Sequence, residues 1–339
     1  MYTTARNLLF RLPPERAHTV ALAGLDAAAA LHLTRLMGRR IDDPHTVLGL
    51  RFPNAVGLSA GLDKDGDHIA GLAGAGFGFL ELGTVTPRPQ PGNPAPRLFR
   101  LPEHEALINR LGFNNRGVDH LLDQISRTRV DVPIGVNIGK NRDTPLAHAL
   151  EDYQHCLEAV YARADYVVVN LSSPNTPGLR SLQGGDELTG LIRPLLEIRN
   201  WLAAESGRRV PLLVKIAPDL DDEAIAGTVD ILQECGIDGI TATNTTTARD
   251  AIASHPLAGE TGGLSGAPLT ERATAVVRRV RQVAGPDLPI IAVGGIMTAA
   301  DAVEKVQAGA NLVQLYTGFI YHGPRLVHDA AAAIHAMRQ

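Results

Sequence analysis

The fold this sequence predicts is a closed (β/α)8 barrel, a TIM barrel, with an N-terminal helical extension. Three observations predict it. Eight short runs of Val, Ile, Leu and Ala recur along the chain, amphipathic segments separate them, and each run ends in glycine or polar residues. Strands joined in one direction by helical crossovers keep adding side by side. Functional groups gathered at the C-terminal ends of such strands are the way this architecture builds a site.

Residues 1–40 stand apart from that rhythm. A short helix over 2–12 carries Leu8, Leu9 and Phe10, and Pro13-Pro14-Glu15 stops it and opens a second. The second pattern, over 15–38, sets Leu22, Leu25, Leu31 and Leu36 among Arg16, His18, His32 and Arg35. A barrel does not need this pair to close. It is either a cap on the open end or an amphipathic element lying on a membrane surface. From Asp42 the pattern is regular. A hairpin from Val47 leads into strands expected over 55–58, 79–82, 134–138, 166–171, 212–216, 240–243, 290–293 and 312–315. Helices are expected over 67–75, 118–126, 146–163, 187–204, 222–235, 269–283, 299–308 and from 324 onward. Thr298 and Asp301 are spaced as a capping box, and Gly309 reads as a helix stop. Two long stretches, 87–113 with hairpin character and 246–266, fall after strands two and six, where loops become site walls.

Composition narrows the function. A 339-residue chain with 45% hydrophobic residues has ample material for a core, while a net charge of −4 argues against nucleic acid. Cys156 and Cys235 fall inside helical patterns with no disulfide framework, as in a reducing compartment. No signal peptide or transmembrane span is expected: the Ala/Leu-rich run from Ala17 to Met37 is broken by Asp26, His32 and Arg35. No metal-ligand pattern is evident either.

The strand endings carry the chemistry. Gly294-Gly295 ends strand seven and Tyr316-Thr317-Gly318 ends strand eight, the usual phosphate cradle of this fold, with Gly263 and Gly266 nearby. Lys215 lies within an apolar strand and points to the barrel mouth. There it either forms a Schiff base, as in an aldolase, or sits beside an anionic ring and stabilises its charge. Lys64 ends strand one. Asn109, Asn137, Asn170, Asn175 and Asn244 all fall on one rim. A carboxamide donates and accepts at once, which suits the imide edge of a flat heterocycle. Ser173 has no His-Asp partner in a G-x-S-x-G context, so acyl transfer is not supported. As a base it needs a proton relay, Thr176 or a water, and an acidified substrate C–H. A non-catalytic phosphate-binding barrel leaves these lysines and asparagines unexplained.

Two segments carry a family resemblance: Gly57-Leu-Ser-Ala-Gly-Leu-Asp-Lys64-Asp-Gly and Asn170-Leu-Ser-Ser-Pro-Asn-Thr-Pro-Gly-Leu-Arg180. With the opening that runs to His18, they make the chain resemble dihydroorotate dehydrogenases over almost its whole length. The resemblance is to the membrane-associated, quinone-linked class. Ser173 stands where the cytosolic class has a cysteine base, and that class lacks the helical pair. By this resemblance, residues 41–339 form an FMN-binding barrel, and residues 1–40 provide quinone access and membrane association. FMN would contact Ala60, Gly61, Lys64, Thr84, Asn137 and Asn170, together with Lys215, Thr243, Gly266, Gly295, Tyr316 and Thr317. Lys64 would pair with the dihydroorotate carboxylate. Asn109, Asn170, Asn175, Asn244 and Thr245 would read its ring, alongside the stretch Asn109-Arg110-Leu111-Gly112-Phe113. Ser173 would take the C5 proton, the C6 hydride would pass to the flavin, and Lys215 would stabilise the reduced, anionic flavin. Ubiquinone or menaquinone would enter between the N-terminal helices near His18 and Arg100. The resemblance implies orotate formation in pyrimidine biosynthesis by a monomer on the cytoplasmic face of the cell membrane. Related readings are a flavin barrel acting on another pyrimidine, or one using fumarate or NAD as acceptor.

Overall fold

The computed structural model describes residues 2–34 and 40–339. Helices α1 (Tyr2–Leu9) and α2 (Pro14–Ala30) come first, then a hairpin of β1 (His45–Val47) and β2 (Leu50–Phe52). The barrel opens with β3 (Val56–Leu58), α3 (Ile69–Ala73) and β4 (Phe79–Val85), and a hairpin of β5 (Leu98–Leu101) and β6 (Ala106–Asn109) interrupts it. It resumes through α4 (Val118–Arg127), β7 (Ile134–Ile138), α5 (Ala149–Val160), β8 (Tyr166–Asn170), α6 (Gly185–Ser206) and β9 (Leu212–Ile216). Then come α7 (Asp222–Cys235), β10 (Gly239–Ala242), β11 (Gly263–Gly266), α8 (Thr270–Ala284), β12 (Ile290–Val293) and α9 (Ala299–Gln307). The chain ends with β13 (Leu312–Leu315), α10 (Thr317–His322) and α11 (Pro324–Arg338).

The expected parallel barrel is present. Strands β3, β4, β7, β8, β9, β10, β12 and β13 pair in that order, and β13 closes on β3. Every residue of β7, β8 and β9 is buried, which is why these strands read as unbroken apolar runs rather than alternating ones. Two aromatic rings seal the barrel interior. A Cβ on Gly57 would lie 2.3 Å from the Phe79 ring, and one on Gly135 would lie 2.1 Å from the Tyr166 ring. Glycine on one strand therefore makes room for the ring on its neighbour, and the two ring centroids are 6.4 Å apart.

Local rules account for the boundaries. Thr298 and Asp301 form the expected capping box at the start of α9, and Asp221 caps α7 by accepting from Ala224 N. Leu48 and Gly49 both have positive φ (58° and 73°), as a two-residue hairpin turn between β1 and β2 requires. The N-terminal helices are shorter than the periodicity predicts. The first ends at Leu9, and the second ends at Ala30 because His32 turns into the left-handed region at φ 55°. Residues 35–39, part of the expected second helix, lie outside the described residues. Cys156 is in the core, where burial pushes its thiol pKa up.

The two long stretches turn out to be one structure. Strand β11 pairs antiparallel with β6, which pairs with β5, making a three-stranded sheet on the C-terminal face. It has its own small core of Leu101, Ala106, Ile108, Ile252 and Leu264. Helix α2 docks beside it. Gly71 of α3 lets α2 approach so closely that a Cβ there would lie 2.6 Å from Asp26 Oδ1. Asp26 meets His68 Nδ1 at 2.5 Å, and Glu15 meets Arg97 Nε at 2.7 Å.

Candidate active site

Above the ring-sealed floor lies a polar layer centred on Glu81 of β4, which is fully buried. Asn137 Nδ2 donates to Glu81 Oε1 (2.9 Å), and Gln314 Nε2 donates to Oε2 (2.6 Å). Tyr166 OH also donates to Oε2, at 3.4 Å. A carboxylate only accepts, so Asn137 must present its amide nitrogen downward and its oxygen upward. That oxygen accepts from Thr84 Oγ1 (2.5 Å) and Asn170 Nδ2 (3.1 Å). Asn170 Oδ1 in turn accepts from Ser172 N and Oγ (both 3.2 Å) and from Asn244 Nδ2 (3.4 Å). Asn244 Oδ1 accepts from Thr245 N at 2.8 Å. A directed chain of amides thus runs from the barrel centre to its rim.

The rim is a single cavity. Its lining includes Ala60, Gly61 and Lys64 after β3, and Thr84 at the end of β4. Asn109, Leu111, Gly112 and Phe113 come from the segment after β6, and Asn170, Ser173 and Asn175 from β8 and its loop. Lys215, Thr243, Asn244 and Thr245 complete one wall, and Gly266, Gly295, Tyr316 and Thr317 the other. Two residues expected there lie elsewhere. Asn137 sits beneath the cavity and acts on it through Thr84 and Asn170. The Arg110 side chain turns outward, paired with Glu260 at 2.5 Å and lying over the Phe99 ring. Phe113 holds φ 54°, a strained conformation for an aromatic residue.

Ser173 is buried, and its Oγ accepts from Asn175 N at 3.2 Å. Thr176, the relay option nearest in sequence, is buried too, but among the described residues it makes no hydrogen bond to Ser173. Asn175 Nδ2 donates to Asn109 O (3.2 Å) and Oδ1 (3.3 Å), tying the serine loop to β6. Arg180 clamps the same loop. Its Nε donates to Ser172 O (3.0 Å) and its Nη2 to Thr245 O (2.9 Å), while Asp219 holds its Nη1 at 2.6 Å.

Two lysines supply positive charge. Lys215 is 5% exposed and donates to Ser59 Oγ at 3.3 Å. Burial pushes its pKa down, and the Glu81 carboxylate opposes that shift. Lys64 is half-buried, its pKa also lowered by burial and partly restored by Asp65. Lys64, His18 and Tyr316 share a second recess between α2 and the barrel. Burial, then Lys64 and His68, push His18 down to about 4, so it is neutral at pH 7. Arg100 lies at the edge of the helical pair, donating to Leu9 O (3.5 Å) and Leu12 O and lying 4.7 Å from the Phe10 ring centroid. Glu81 and Gln314 escaped the sequence reading. The available signal was a charged residue inside an otherwise apolar strand, two positions before the Gly83-Thr84 ending.

The chain matches the family model described as dihydroorotate dehydrogenase over residues 44–337. The chain belongs to the dihydroorotate dehydrogenase family. It is 53% identical to the dihydroorotate dehydrogenase (quinone) of Cellvibrio japonicus (strain Ueda107) over 340 residues, covering 100% of this chain and 99% of that protein. It is 55% identical to the dihydroorotate dehydrogenase (quinone) of Azotobacter vinelandii (strain DJ / ATCC BAA-1303), covering 100% and 98%. Among solved structures it resembles DHODH from Eimeria tenella in complex with ferulenol. There the TM-score is 0.85 at 37% identity, covering 95% of this chain and 90% of that one. The family assignment gives the Glu81 layer a place in a dihydroorotate dehydrogenase barrel, and no helix among the described residues is long and apolar enough to cross a membrane.

Two outcomes follow from the geometry. Glu81→Leu leaves Asn137, Gln314 and Tyr166 without their buried acceptor and Lys215 without the opposing charge. It should destabilise the fold by about 3–5 kcal/mol in urea unfolding, with Glu81→Gln much milder. For His18, the folded pKa of about 4 lies below the ordinary 6.5, so the unfolded chain takes up the proton first as pH falls. The stability this residue contributes is complete above about 6.5 and is lost as pH drops toward 4. The urea midpoint should fall over that window, and less so in His18→Asn.

Proposed function

We propose that this chain oxidises (S)-dihydroorotate to orotate in pyrimidine biosynthesis, with FMN as cofactor and a membrane quinone, ubiquinone or menaquinone, as electron acceptor. The observation that carries the reading is the joining, in one cavity, of Ser173 and the amide chain on one wall with a glycine cradle on the other. The residues fit a flavin mononucleotide. Gly266, Gly294 and Gly295 offer backbone donors with no side chain in the way, all at positive φ. Gln314 Oε1 lies buried at the cavity and has no hydrogen-bond partner among the described residues, an acceptor suited to a ring N–H.

In this reading Ala60, Gly61, Thr84, Lys215 and Thr243 hold the ring system, and Gly295, Tyr316 and Thr317 hold the phosphate end. Lys64 pairs with the substrate carboxylate, while Asn109, Asn170, Asn175, Asn244 and Thr245 exchange hydrogen bonds with its ring. The fixed polarity of the amide chain pre-sets which edge of the substrate meets a donor. Ser173 Oγ takes the C5 proton as its own hydroxyl proton passes to a relay water, and the Asn175 N–H stabilises the negative charge that builds on Oγ as that proton leaves. When bound, the flavin supplies the two-electron oxidant for the substrate's C6–H bond. Lys215, which lines the cavity, would supply positive charge to the anionic form of the reduced ring. Residues 41–339 form the flavin barrel. Residues 1–40 face the membrane at its cytoplasmic side, supported by exposed Leu8, Leu12, Val20, Leu31 and Leu33 on the pair. His18 and Arg100 line the quinone approach.

The purified protein should show a flavin absorption band that bleaches with dihydroorotate under anaerobic conditions and returns on adding a soluble quinone. Colour without bleaching rejects the substrate. No colour after reconstitution with FMN favours a lysine aldolase. Ser173→Ala should slow bleaching by about 10²–10⁴-fold with flavin content unchanged. Unchanged bleaching would remove Ser173 from the reaction.

A further inference from the structure

Lys305 is a buried cation that the proposed chemistry does not use. It projects from α9 with no exposed surface, and Ala302 is the only other buried residue of that helix. Its Nζ donates to Thr270 O (2.8 Å) and Thr274 Oγ1 (2.5 Å). Among the described residues no carboxylate is paired with it. Asp301 and Glu304 act on it only at longer range. Burial lowers its pKa to about 8, which leaves it largely charged at neutral pH. Both of its partners lie in the first turns of α8, whose dipole opposes a cation, although the last turn of α9, from which Lys305 projects, favours one. A buried charge in such a place calls for an anion nearby.

The next contact shows where. Thr270 Oγ1 donates to Gly295 O at 2.6 Å, and a Cβ on Gly295 would lie 2.2 Å from Thr270 Cα. The first turn of α8 is therefore pressed against the glycine loop after β12. In a planar trans peptide the carbonyl and the following N–H point opposite ways. With the Gly295 carbonyl held outward by Thr270, the Ile296 N–H points away from α8, and both Gly295 and Ile296 line the cavity.

We propose that Lys305 is the buried counter-charge of the phosphate cradle. Its ammonium fixes Thr270 behind the Gly294-Gly295 loop and places a positive field under a dianionic phosphate monoester. The inference rests on reading the cavity as a flavin mononucleotide site. It makes Lys305 a positioning residue, since its ammonium is held by Thr270 and Thr274 behind the loop rather than in the cavity lining.

The test compares FMN with riboflavin, which has the same ring and no phosphate, in fluorescence titrations of the flavin-free protein. The full-length unsubstituted chain should prefer FMN; equal affinities would overturn the reading of the cavity rather than the role of Lys305. Lys305→Gln keeps a donor for Thr270 O and removes the charge. It should weaken FMN binding by about tenfold and leave riboflavin binding unchanged. An undiminished FMN preference, or an equal loss for both ligands, would overturn the proposal. Should Lys305→Gln fail to fold, Thr274→Val keeps the charge and removes one of its two holding groups. A smaller loss for FMN alone is then expected, and a preference equal to that of the unsubstituted chain sinks the idea.

Discussion

Glu81 is the group on which the arrangement of the barrel mouth depends. A carboxylate with no exposed surface must collect donors, and this one takes them from Asn137, Gln314 and Tyr166 on three other strands. Because it cannot donate, it breaks the near-symmetry of every carboxamide above it. Asn137, Asn170 and Asn244 each have one orientation that satisfies the chain, and a reversal at any one places two like groups face to face. It also offsets part of the penalty of burying Lys215. One acidic residue therefore specifies both the hydrogen-bonding pattern of the rim and the charge beneath it.

Around that centre the chain builds walls from distant parts of itself. Strands β5, β6 and β11 form one sheet from segments far apart in sequence, and Asn109 at the end of its central strand meets Asn175 of the serine loop. Arg180 joins the same loop to the ends of β8 and β10 through carbonyl oxygens, contacts that hold backbone rather than side chains. On the opposite side the helical pair is fastened by Glu15–Arg97, Asp26–His68 and the Arg100 contacts. Each fastening starts from a residue after β3 or in the β5 region. The appendage is thus tied to the same loops that line the cavity.

The strands were legible because parallel, doubly buried strands are written as uninterrupted Val, Ile and Leu, and their endings stand out against that background. Most of the rim was legible for the same reason: Lys64, Asn170, Ser173, Lys215 and Asn244 all sit where an apolar run stops. What stayed hidden has other causes. The pairing of β11 with β6 is antiparallel contact between remote segments, and short Gly-rich strands carry little periodicity. Helix α10 is too short to show a 3.6-residue pattern. Arg110 sits in a stretch otherwise turned to the cavity, yet Glu260 draws it outward, a partner that spacing does not reveal. Glu81 and Lys305 were passed over because a lone charge in an apolar strand or helix names no partner until the fold supplies one.

The aromatic seal of the barrel has a further consequence. With the Phe79 and Tyr166 rings filling the space left by Gly57 and Gly135, the barrel interior beneath the Glu81 layer is a packed plug, and the cavity lies at the upper rim. Rigidity and throughput are thereby assigned to separate residues. The plug governs how hard the molecule is to unfold, and the rim loops govern how quickly anything is exchanged. Variation in the β5–β6–β11 sheet can retune exchange without touching the plug, and a stiffer plug need not slow exchange.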